Sequence, residues 1–254
     1  MTHKKVFLCD LSYIPLRRSP ADSAELTTMM LFGESFIVLE TQKNWHYIKM
    51  LYDDYDGWIF RRKLTEFPEK EQVAKSWKVL SDPWATIKSD HGKQFFLGVG
   101  SELPEDSSVL KLRNEKWTLP NTKSSIFASK SAGNILKIAR SLLDTPYLWG
   151  GRSVFGIDCS GFVQIVFKVA GISLLRDASQ QIEQGRAVTF DEKKSGDLAF
   201  FQNENGKIVH VGILAENSRI IHASEFVRED GFSEEGIKRS GKITHSLAAI
   251  RRYI

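Results

Sequence analysis

The chain has 254 residues, a length that suggests two domains and leaves one or three open. Hydrophobic residues make up 42% of it and charged residues 26%, which is an ordinary composition for a folded protein. This composition excludes a disordered tail, a collagen-like chain and a low-complexity scaffold. Lysine and arginine outnumber aspartate and glutamate by 35 to 31, so the formal net charge is only +4.

Charge and apolar patterning argue against nucleic acid and membrane partners. The longest basic clusters, 61–63 and 251–252, are short, and the mild net charge falls well short of a nucleic-acid-binding surface. No apolar stretch of the sequence approaches the roughly 20 residues of a membrane span. The apolar run 6–9 is shorter than the core of an export signal, about 7–15 residues. We therefore expect a cytoplasmic protein, unless a leader has been removed.

The first half of the chain is predicted to form short β-strands. Between about residues 5 and 66, apolar runs such as 36–39 and 46–50 alternate with polar or glycine breaks, which favours a small antiparallel barrel. A second region of similar texture follows, and turn-forming residues at 120–125 indicate a linker. The predicted domains are 1–66, 67–127 and 128–254.

The pattern changes at about residue 128 to helices followed by strands. Apolar residues between Ile135 and Leu143 recur at helical spacing, and Pro146 stops this first helix. A second helix is predicted over 159–170, apolar on almost every side and ended by Gly171, so it should be buried. The β-like segments that follow are consistent with an antiparallel meander and an α+β domain.

A cysteine, Cys159, stands at the start of the second helix. The partial positive charge of a helix N-terminus stabilises a thiolate, so we expect a lowered thiol pKa, with Asp158 as the N-cap residue. The alternative is that Cys159 is a small buried hydrophobic residue, as most free cysteines are. The other cysteine, Cys9, lies in a different predicted domain and gives no support for a disulfide framework.

Two histidines, His210 and His222, lie in consecutive predicted strands. The turn residues between the strands predict a hairpin, and pairing centred on Glu216 places the two rings directly opposite on one face. A slip of one residue would place them on opposite faces. In the predicted register His222 can orient His210, which can take the proton of Cys159. This is the nucleophile, base and orienting residue of a cysteine hydrolase.

Alternatives stay open for these histidines. Each can be an ordinary structural residue, and two histidines with a cysteine also suggest zinc, although a third protein ligand is not evident. We interpret the other histidines as surface or local structural residues. They are His3, His46, His91 and His245.

Five segments of the third predicted domain resemble the NlpC-type cell-wall cysteine peptidases. They are Tyr147-Leu148-Trp149-Gly150-Gly151, Ile157-Asp158-Cys159-Ser160-Gly161-Phe162, Gly196-Asp197-Leu198-Ala199-Phe200-Phe201, His210-Val211-Gly212-Ile213 and Ile221-His222-Ala223. The resemblance implies a papain-like α+β catalytic domain with Cys159 as nucleophile, His210 as base and His222 as orienting residue. It also implies that the Cys159 backbone N–H and the Tyr147 hydroxyl stabilise the oxyanion.

The first domain resembles the bacterial SH3-like domains. The segments that carry this resemblance are Pro15-Leu16-Arg17, Leu31-Phe32-Gly33-Glu34, Trp45 and Asp53-Asp54-Tyr55-Asp56-Gly57-Trp58. Together with Arg176-Asp177-Ala178-Ser179-Gln180-Gln181, the chain resembles a subgroup that cleaves γ-D-glutamyl–L-diamino acid bonds in murein peptides carrying a free N-terminal L-alanine. In that subgroup the SH3-like domain closes the far end of the cleft. The implied fold is a papain-like α+β catalytic domain preceded by small all-β SH3-like barrels.

The resemblance also implies a set of substrate contacts. Asp177 would bind the substrate amine, with Asp54 and Tyr55 reaching in from the SH3-like domain. Further implied substrate-binding residues are Trp149, Asp158, Ser160 and Ser179. From the residues alone, Asp177 fits equally well as a helix cap or a partner of its neighbouring arginine, and Asp54 and Tyr55 fit an exposed loop.

The expected function is therefore hydrolysis of murein peptides by a monomeric cysteine peptidase that uses no cofactor or metal. One alternative is an exported hydrolase of the intact wall, with the SH3-like domains as wall-binding modules. Another, of a different class, is a non-catalytic protein that binds murein peptides.

Overall fold

A computed structural model describes residues 5–66, 77–105, 108–119 and 130–254 of the chain. The chain forms two compact units, 1–126 and 127–254. The predicted linker at 120–125, and the residues that follow the predicted domain border at 66, lie outside the described ranges. The three predicted domain ranges stay a prediction.

The first unit begins with a seven-stranded antiparallel sheet. Its strands are β1 (Val6–Leu8), β2 (Tyr13–Arg17), β3 (Leu26–Leu31), β4 (Ser35–Gln42), β5 (Trp45–Met50), β6 (Asp56–Phe60) and β7 (Thr65–Glu66). They are ordered β3-β2-β6-β5-β4-β1-β7 in the sheet. Alternate residues of a strand share a face, and Ile14, Leu16, Ile48 and Met50 accordingly meet in one buried core. The expectation of short antiparallel strands here is confirmed.

Two smaller sheets follow in the same unit. Their strands are β8 (Trp77–Val79), β9 (Trp84–Ser89), β10 (Gln94–Gly98), β11 (Glu102–Pro104), β12 (Val109–Leu112) and β13 (Glu115–Thr118). β8 pairs with β11, and the other four strands are ordered β10-β9-β13-β12. Leu97, Leu103 and Trp117 of these sheets share a core with Leu8 and Phe32 of the first sheet. One apolar cluster therefore links the sheets of this unit, beside the separate core of the first sheet.

Gly33 allows β11 to approach the first sheet closely. The backbone N–H of Glu102 donates to the carbonyl oxygen of Phe32 at 2.8 Å. Gly33 has a φ of +86°, and a Cβ at this position would collide with the carbonyl oxygen of Glu102. A residue without a side chain is therefore required here on both conformational and steric grounds.

The second unit starts with helices α1 (Ala132–Arg140) and α2 (Cys159–Val169), followed by the single turn α3 (Ala178–Gln181). α2 is buried along its whole length, and Gly171, with a φ of +78°, follows its end. Both predicted helices are confirmed. Within the described ranges, none of the helices is long and apolar enough to cross a membrane.

The strands of the second unit form a short pair and a closed sheet. They are β14 (Arg152–Ser153), β15 (Gly156–Ile157), β16 (Arg186–Val188), β17 (Leu198–Gln202), β18 (Ile208–Ala215), β19 (Arg219–Ser224), β20 (Phe226–Ser233), β21 (Gly236–Arg239) and β22 (Lys242–Arg252). The sheet is ordered β16-β22-β17-β18-β19-β20-β21, and β22 also pairs with β21. Because β22 is long enough to pair with β21 at its start and β17 at its end, it closes the predicted meander into a barrel.

Replacing Gly33 with alanine should lower the free energy of unfolding by at least about 2 kcal/mol, because a positive φ and a steric collision both oppose the new side chain. Gly92→Ala is the matched control: Gly92 has a φ of +79° but no atom within 4 Å of an added Cβ. The control should cost about 1 kcal/mol. Urea denaturation of both variants measures the difference, and equal losses would contradict the steric role of Gly33.

Candidate active site

Cys159 is the first residue of α2 and lies in a closely packed turn. The carboxylate of Asp158, the N-cap residue, accepts hydrogen bonds from the backbone N–H of Gly161 at 2.7 Å and of Gly150 at 2.9 Å. A side chain at Gly151 or Gly161 would collide with a main-chain carbonyl oxygen, so backbone packs directly on backbone. The predicted capping role of Asp158 is confirmed, and the same carboxylate joins the glycine loop to the nucleophile's helix.

Arg176 binds this carboxylate from another segment. Its Nη1 and Nη2 atoms donate to Oδ1 and Oδ2 of Asp158 at 3.0 and 2.5 Å. Nη1 also donates to Ser160 Oγ at 2.9 Å. Arg176 is 1% exposed, so the pair is bidentate and buried. These contacts hold Asp158 and Ser160 in place at the start of α2. The predicted contacts of both residues with substrate stay predictions.

α3 is attached to the start of α2 by the same segment. Gln181 Nε2 donates to the carbonyl oxygen of Ser160 at 3.1 Å, which adds a second link to the one made by Arg176. Asp177 is the half-buried N-cap residue of α3, and its backbone N–H donates to Gln180 Oε1 at 3.0 Å. Ser179 is exposed on this helix. The helix-cap position considered for Asp177 is thus observed.

Two imidazole rings and a carboxylate form a hydrogen-bonded chain next to Cys159. His210 Nε2 lies 2.8 Å from His222 Nδ1, and His222 Nε2 lies 3.2 Å from Asp230 Oδ2. The backbone of Val211, the residue after His210, hydrogen-bonds the sulfur of Cys159. Both histidines are buried, on β18 and β19. The structure thus joins His210 to His222 and places the residue after His210 against the Cys159 sulfur, and the catalytic roles of these three residues stay predictions.

The register of the hairpin differs from the predicted one. β18 and β19 pair Ile213 with Ile221, so the next pair in this register joins Gly212 to His222. The prediction that His210 lies directly opposite His222 is wrong. The two rings are instead diagonal neighbours on the same face, and diagonal neighbours are within reach of long side chains.

The turn explains this difference. The residues in the left-handed conformation are Asn217 and Ser218, with φ of 56° and 54°, so the hairpin turns one residue later than the predicted centre at Glu216. A Cβ on Gly212 would collide with the Cβ of His222. The bare backbone at Gly212 thus leaves space for the His222 side chain.

Two residues of this cluster were missed by the sequence analysis. His245 of β22 stacks on His210, with ring centroids 4.3 Å apart and planes at 28°, so its interpretation as a surface or local structural residue is wrong. Asp230 of β20 lies in the run Arg228-Glu229-Asp230, which resembles an ordinary solvated strand. Neither residue carries a local signal, because each reaches the site through the strand pairing of the barrel.

Burial controls the protonation of the site. It raises the pKa of the Cys159 thiol to about 12, and the Asp158 carboxylate acts in the same direction. Burial also lowers the pKa of His210 well below its ordinary 6.5, with further lowering from the His222 and His245 rings. The predicted lowering of the thiol pKa by the helix N-terminus is therefore wrong in sign, since desolvation outweighs it. Burial thus favours the uncharged forms of both Cys159 and His210.

Tyr147 and Trp149 lie in the loop before α2. The backbone N–H of Tyr147 donates to the carbonyl oxygen of Glu225 at 2.9 Å, which fixes the loop against the barrel. Burial raises the pKa of the Tyr147 phenol, and negative charge on Cys159 acts in the same direction, so the hydroxyl stays a donor within electrostatic range of the sulfur. Trp149 is 61% exposed. The predicted oxyanion and substrate roles of these residues stay predictions.

Asp54 and Tyr55 lie on the turn between β5 and β6 of the first unit. Asp54 is exposed and pairs with Lys49 Nζ at 2.8 Å. The backbone N–H of Tyr55 donates to Asp53 Oδ1 at 3.1 Å. These contacts describe an ordered turn, and the predicted substrate contacts of both residues stay predictions. Across the described ranges, no three His, Cys, Asp or Glu side chains are placed to hold a metal ion.

Comparison with known proteins matches a separate part of the chain to each of two family models. Residues 144–244 match the NlpC/P60 family, and residues 16–64 match the bacterial dipeptidyl-peptidase SH3 domain. A Bacillus subtilis protein named gamma-D-glutamyl-L-lysine dipeptidyl-peptidase is 30% identical over 215 residues, covering 78% of this chain and 72% of that protein. A protein of the same name from Bacillus cereus is 28% identical over 228 residues, covering 78% and 67%.

A solved structure of similar shape is the crystal structure of an NlpC/P60 family protein from Bacillus cereus. It aligns with a TM-score of 0.84 at 23% identity, covering 98% of this chain and 99% of that one. The relatives and the cysteine–histidine geometry together define the class of protein: the chain is a cysteine peptidase whose catalytic domain follows an SH3-like domain. It belongs to the NlpC/P60 family.

The acid limb of the profile of kcat/KM against pH should have its midpoint below pH 6.5. Burial lowers the pKa of His210, so this base stays neutral, and able to accept a proton, down to mildly acidic pH. Activity is lost only as the pH falls through that lowered value and His210 becomes protonated. Initial rates at low substrate concentration between pH 4 and 8 measure the limb. A midpoint at or above 6.5 would contradict a desolvated base.

Proposed function

We propose that the protein hydrolyses the γ-D-glutamyl–L-diamino acid bond of murein peptides whose N-terminal L-alanine is free. The observation that carries this proposal is the Asp177 carboxylate at the start of α3, joined through Arg176 to the helix of the nucleophile. A carboxylate on a segment tied to the helix of Cys159 suits the ammonium group of a substrate in which a single residue, L-alanine, precedes the γ-D-glutamyl residue. The names of both Bacillus relatives specify a γ-D-glutamyl-L-lysine bond, which supports the proposal.

Catalysis begins with two neutral groups. As the sulfur of Cys159 attacks the γ-glutamyl carbonyl carbon, its proton passes to Nδ1 of His210. The imidazolium then donates this proton to the nitrogen of the departing diamino acid, and an acyl-thioester remains on Cys159. Water next loses a proton to His210 as it attacks the thioester, and the proton returns to the sulfur. The products are L-Ala-D-Glu and the diamino acid or its peptide.

The oxyanion forms at the N-terminus of α2. Backbone N–H groups of a first helical turn have no partner within the helix, so that of Cys159 is available to the developing charge. The Tyr147 hydroxyl is the proposed second donor. Such donors each contribute about 2.7–4 kcal/mol to stabilisation of the transition state. The order of a helix-borne thiol followed by a strand-borne base supports assignment to the papain-like α+β class.

We propose a role in recycling wall peptides inside the cell, performed by a monomer. Immunoblotting of cell fractions tests the location, and sedimentation tests the oligomeric state. Recovery of the protein from the wall fraction would favour the alternative of an exported wall hydrolase.

The free-amine requirement is tested with two peptides, L-Ala-γ-D-Glu-L-Lys and the same peptide acylated on its amine by a muramoyl group. We expect cleavage of the free peptide alone, and the diaminopimelate analogue determines which diamino acid is preferred. Cys159→Ala should abolish cleavage, because the acyl-thioester on Cys159 can no longer form. Equal cleavage of the free and acylated peptides would mean an open cleft and would favour a hydrolase of the intact wall.

Asp177→Asn should raise KM for the free-amine peptide by about tenfold or more, since a hydrogen bond to a charged group contributes roughly 1.5–3 kcal/mol. Glu183→Gln is the matched control, because Glu183 is an exposed carboxylate just beyond α3. Steady-state kinetics on both variants measure the effect. An unchanged KM in Asp177→Asn would exclude this carboxylate as the amine site.

A further inference from the structure

The hydrogen-bond chain beyond His210 determines which ring nitrogens carry protons. An ionised carboxylate accepts hydrogen bonds and donates none, so His222 Nε2 holds the proton in its 3.2 Å contact with Asp230 Oδ2. Nδ1 of a neutral His222 is then an acceptor. His210 Nε2, 2.8 Å from this Nδ1, must be the donor. Nδ1 of His210 is consequently left with a lone pair.

Asp230 is held in place by a charged partner. Arg228 Nη2 donates to Asp230 Oδ1 at 3.2 Å, while Oδ2 is the atom that faces His222. The Arg228 side chain also lies over the ring of Phe226, at 4.9 Å from its centroid. Arg228 Nε also lies 2.9 Å from Oδ2, so the guanidinium contacts both carboxylate oxygens and His222 shares Oδ2 with it. The carboxylate is therefore both charge-compensated and oriented.

His245 restricts rotation of the His210 ring. Its ring covers one face of His210 at a centroid distance of 4.3 Å, and the Phe201 ring lies 5.8 Å from His210. A half-turn of the His210 ring would exchange its two nitrogens, and this packing opposes that motion. With the ring fixed, the tautomer alone decides whether the nitrogen left for Cys159 can accept a proton.

We propose that Asp230 is a positioning residue for catalysis, which selects through His222 the tautomer of His210 that can accept the Cys159 proton. Asp230 touches neither the sulfur nor the substrate. In the proton-transfer step the S–H bond breaks, an Nδ1–H bond forms on His210, and the sulfur electron pair attacks the carbonyl carbon. Asp230 stays ionised throughout and favours the positive charge that His210 acquires. Asp230 is thus added as a fourth residue to the predicted set of nucleophile, base and orienting residue.

The first test requires no substrate. Ring ¹⁵N chemical shifts of the wild-type enzyme at pH 7, assigned with single histidine-to-glutamine variants, report each tautomer directly. We expect His210 and His222 both to be protonated on Nε2. A His222 protonated on Nδ1 would overturn the proposal.

The second test is Asp230→Asn, with Glu229→Gln as the matched control. Glu229 is the neighbouring carboxylate on the same strand, and it pairs with Arg219 and Arg140 and not with a histidine. An asparagine carries no charge and replaces one carboxylate oxygen with an NH2 donor, so it cannot accept hydrogen bonds at both the Oδ1 and Oδ2 positions that Arg228 and His222 contact. We expect the Nδ1–H form of His222 to appear in this variant, with kcat at least about tenfold lower and KM within about twofold of the wild-type value. The control should leave both kinetic constants and the ¹⁵N shifts unchanged.

Unchanged ¹⁵N shifts or an unchanged kcat in Asp230→Asn would overturn the proposal. An equal loss of kcat in Glu229→Gln would also overturn it, because the effect would then be one of general charge. If Asp230→Asn does not fold, the wild-type tautomer measurement still decides. The kinetic arm rests on the proposed function, whereas the ¹⁵N arm does not. Failure of the substrate assay in the wild-type enzyme is therefore distinguishable from failure of this inference.

Discussion

The buried ion pair between Asp158 and Arg176 is the interaction on which the arrangement of the catalytic unit depends. The Asp158 carboxylate caps α2, receives the N–H of Gly150 and binds a guanidinium that is 1% exposed. Removing one partner of such a pair leaves an uncompensated buried charge, at a cost of about 3–5 kcal/mol. One carboxylate thereby holds the start of the nucleophile helix, the glycine loop and the segment that carries Asp177. This contact connects the helix that begins at Cys159 to the segment that carries the proposed amine site.

Desolvation determines the resting state of the enzyme. The close packing that buries Cys159 and His210 raises the pKa of the thiol to about 12 and lowers that of the imidazole. If both partners are uncharged at rest, charge develops only as the carbonyl is attacked, when the proposed oxyanion donors and the proposed positioning residue Asp230 would stabilise it. A buried site of this kind favours the charged transition state over a charged resting pair.

Closure of the barrel brings together, around His210, side chains from distant parts of the chain. His210, His222, Asp230 and His245 lie on four different strands, and β22 brings the last of them into contact by pairing with both β17 and β21. Gly212 contributes by lacking a side chain, which lets the His222 ring approach His210 diagonally. The electrostatic environment of His210 thus depends on the closed sheet, since no single hairpin contains all four of these residues.

Local chemistry in the sequence determined the helix of Cys159 and its Asp158 cap, as well as the two strands that carry His210 and His222. It also determined that the two rings share a face, since moving the turn from Glu216 to Asn217 and Ser218 shifts the pairing by two positions and preserves the alternation of the strand. Only the tertiary structure decided the diagonal register, the stacking of His245, the contact between Asp230 and His222 and the direction of the thiol pKa shift. Capping, turns and strand alternation act between residues close in sequence and can therefore be predicted from it. Burial and barrel closure depend on residues far apart in the chain, and they decide which groups lose water and which meet.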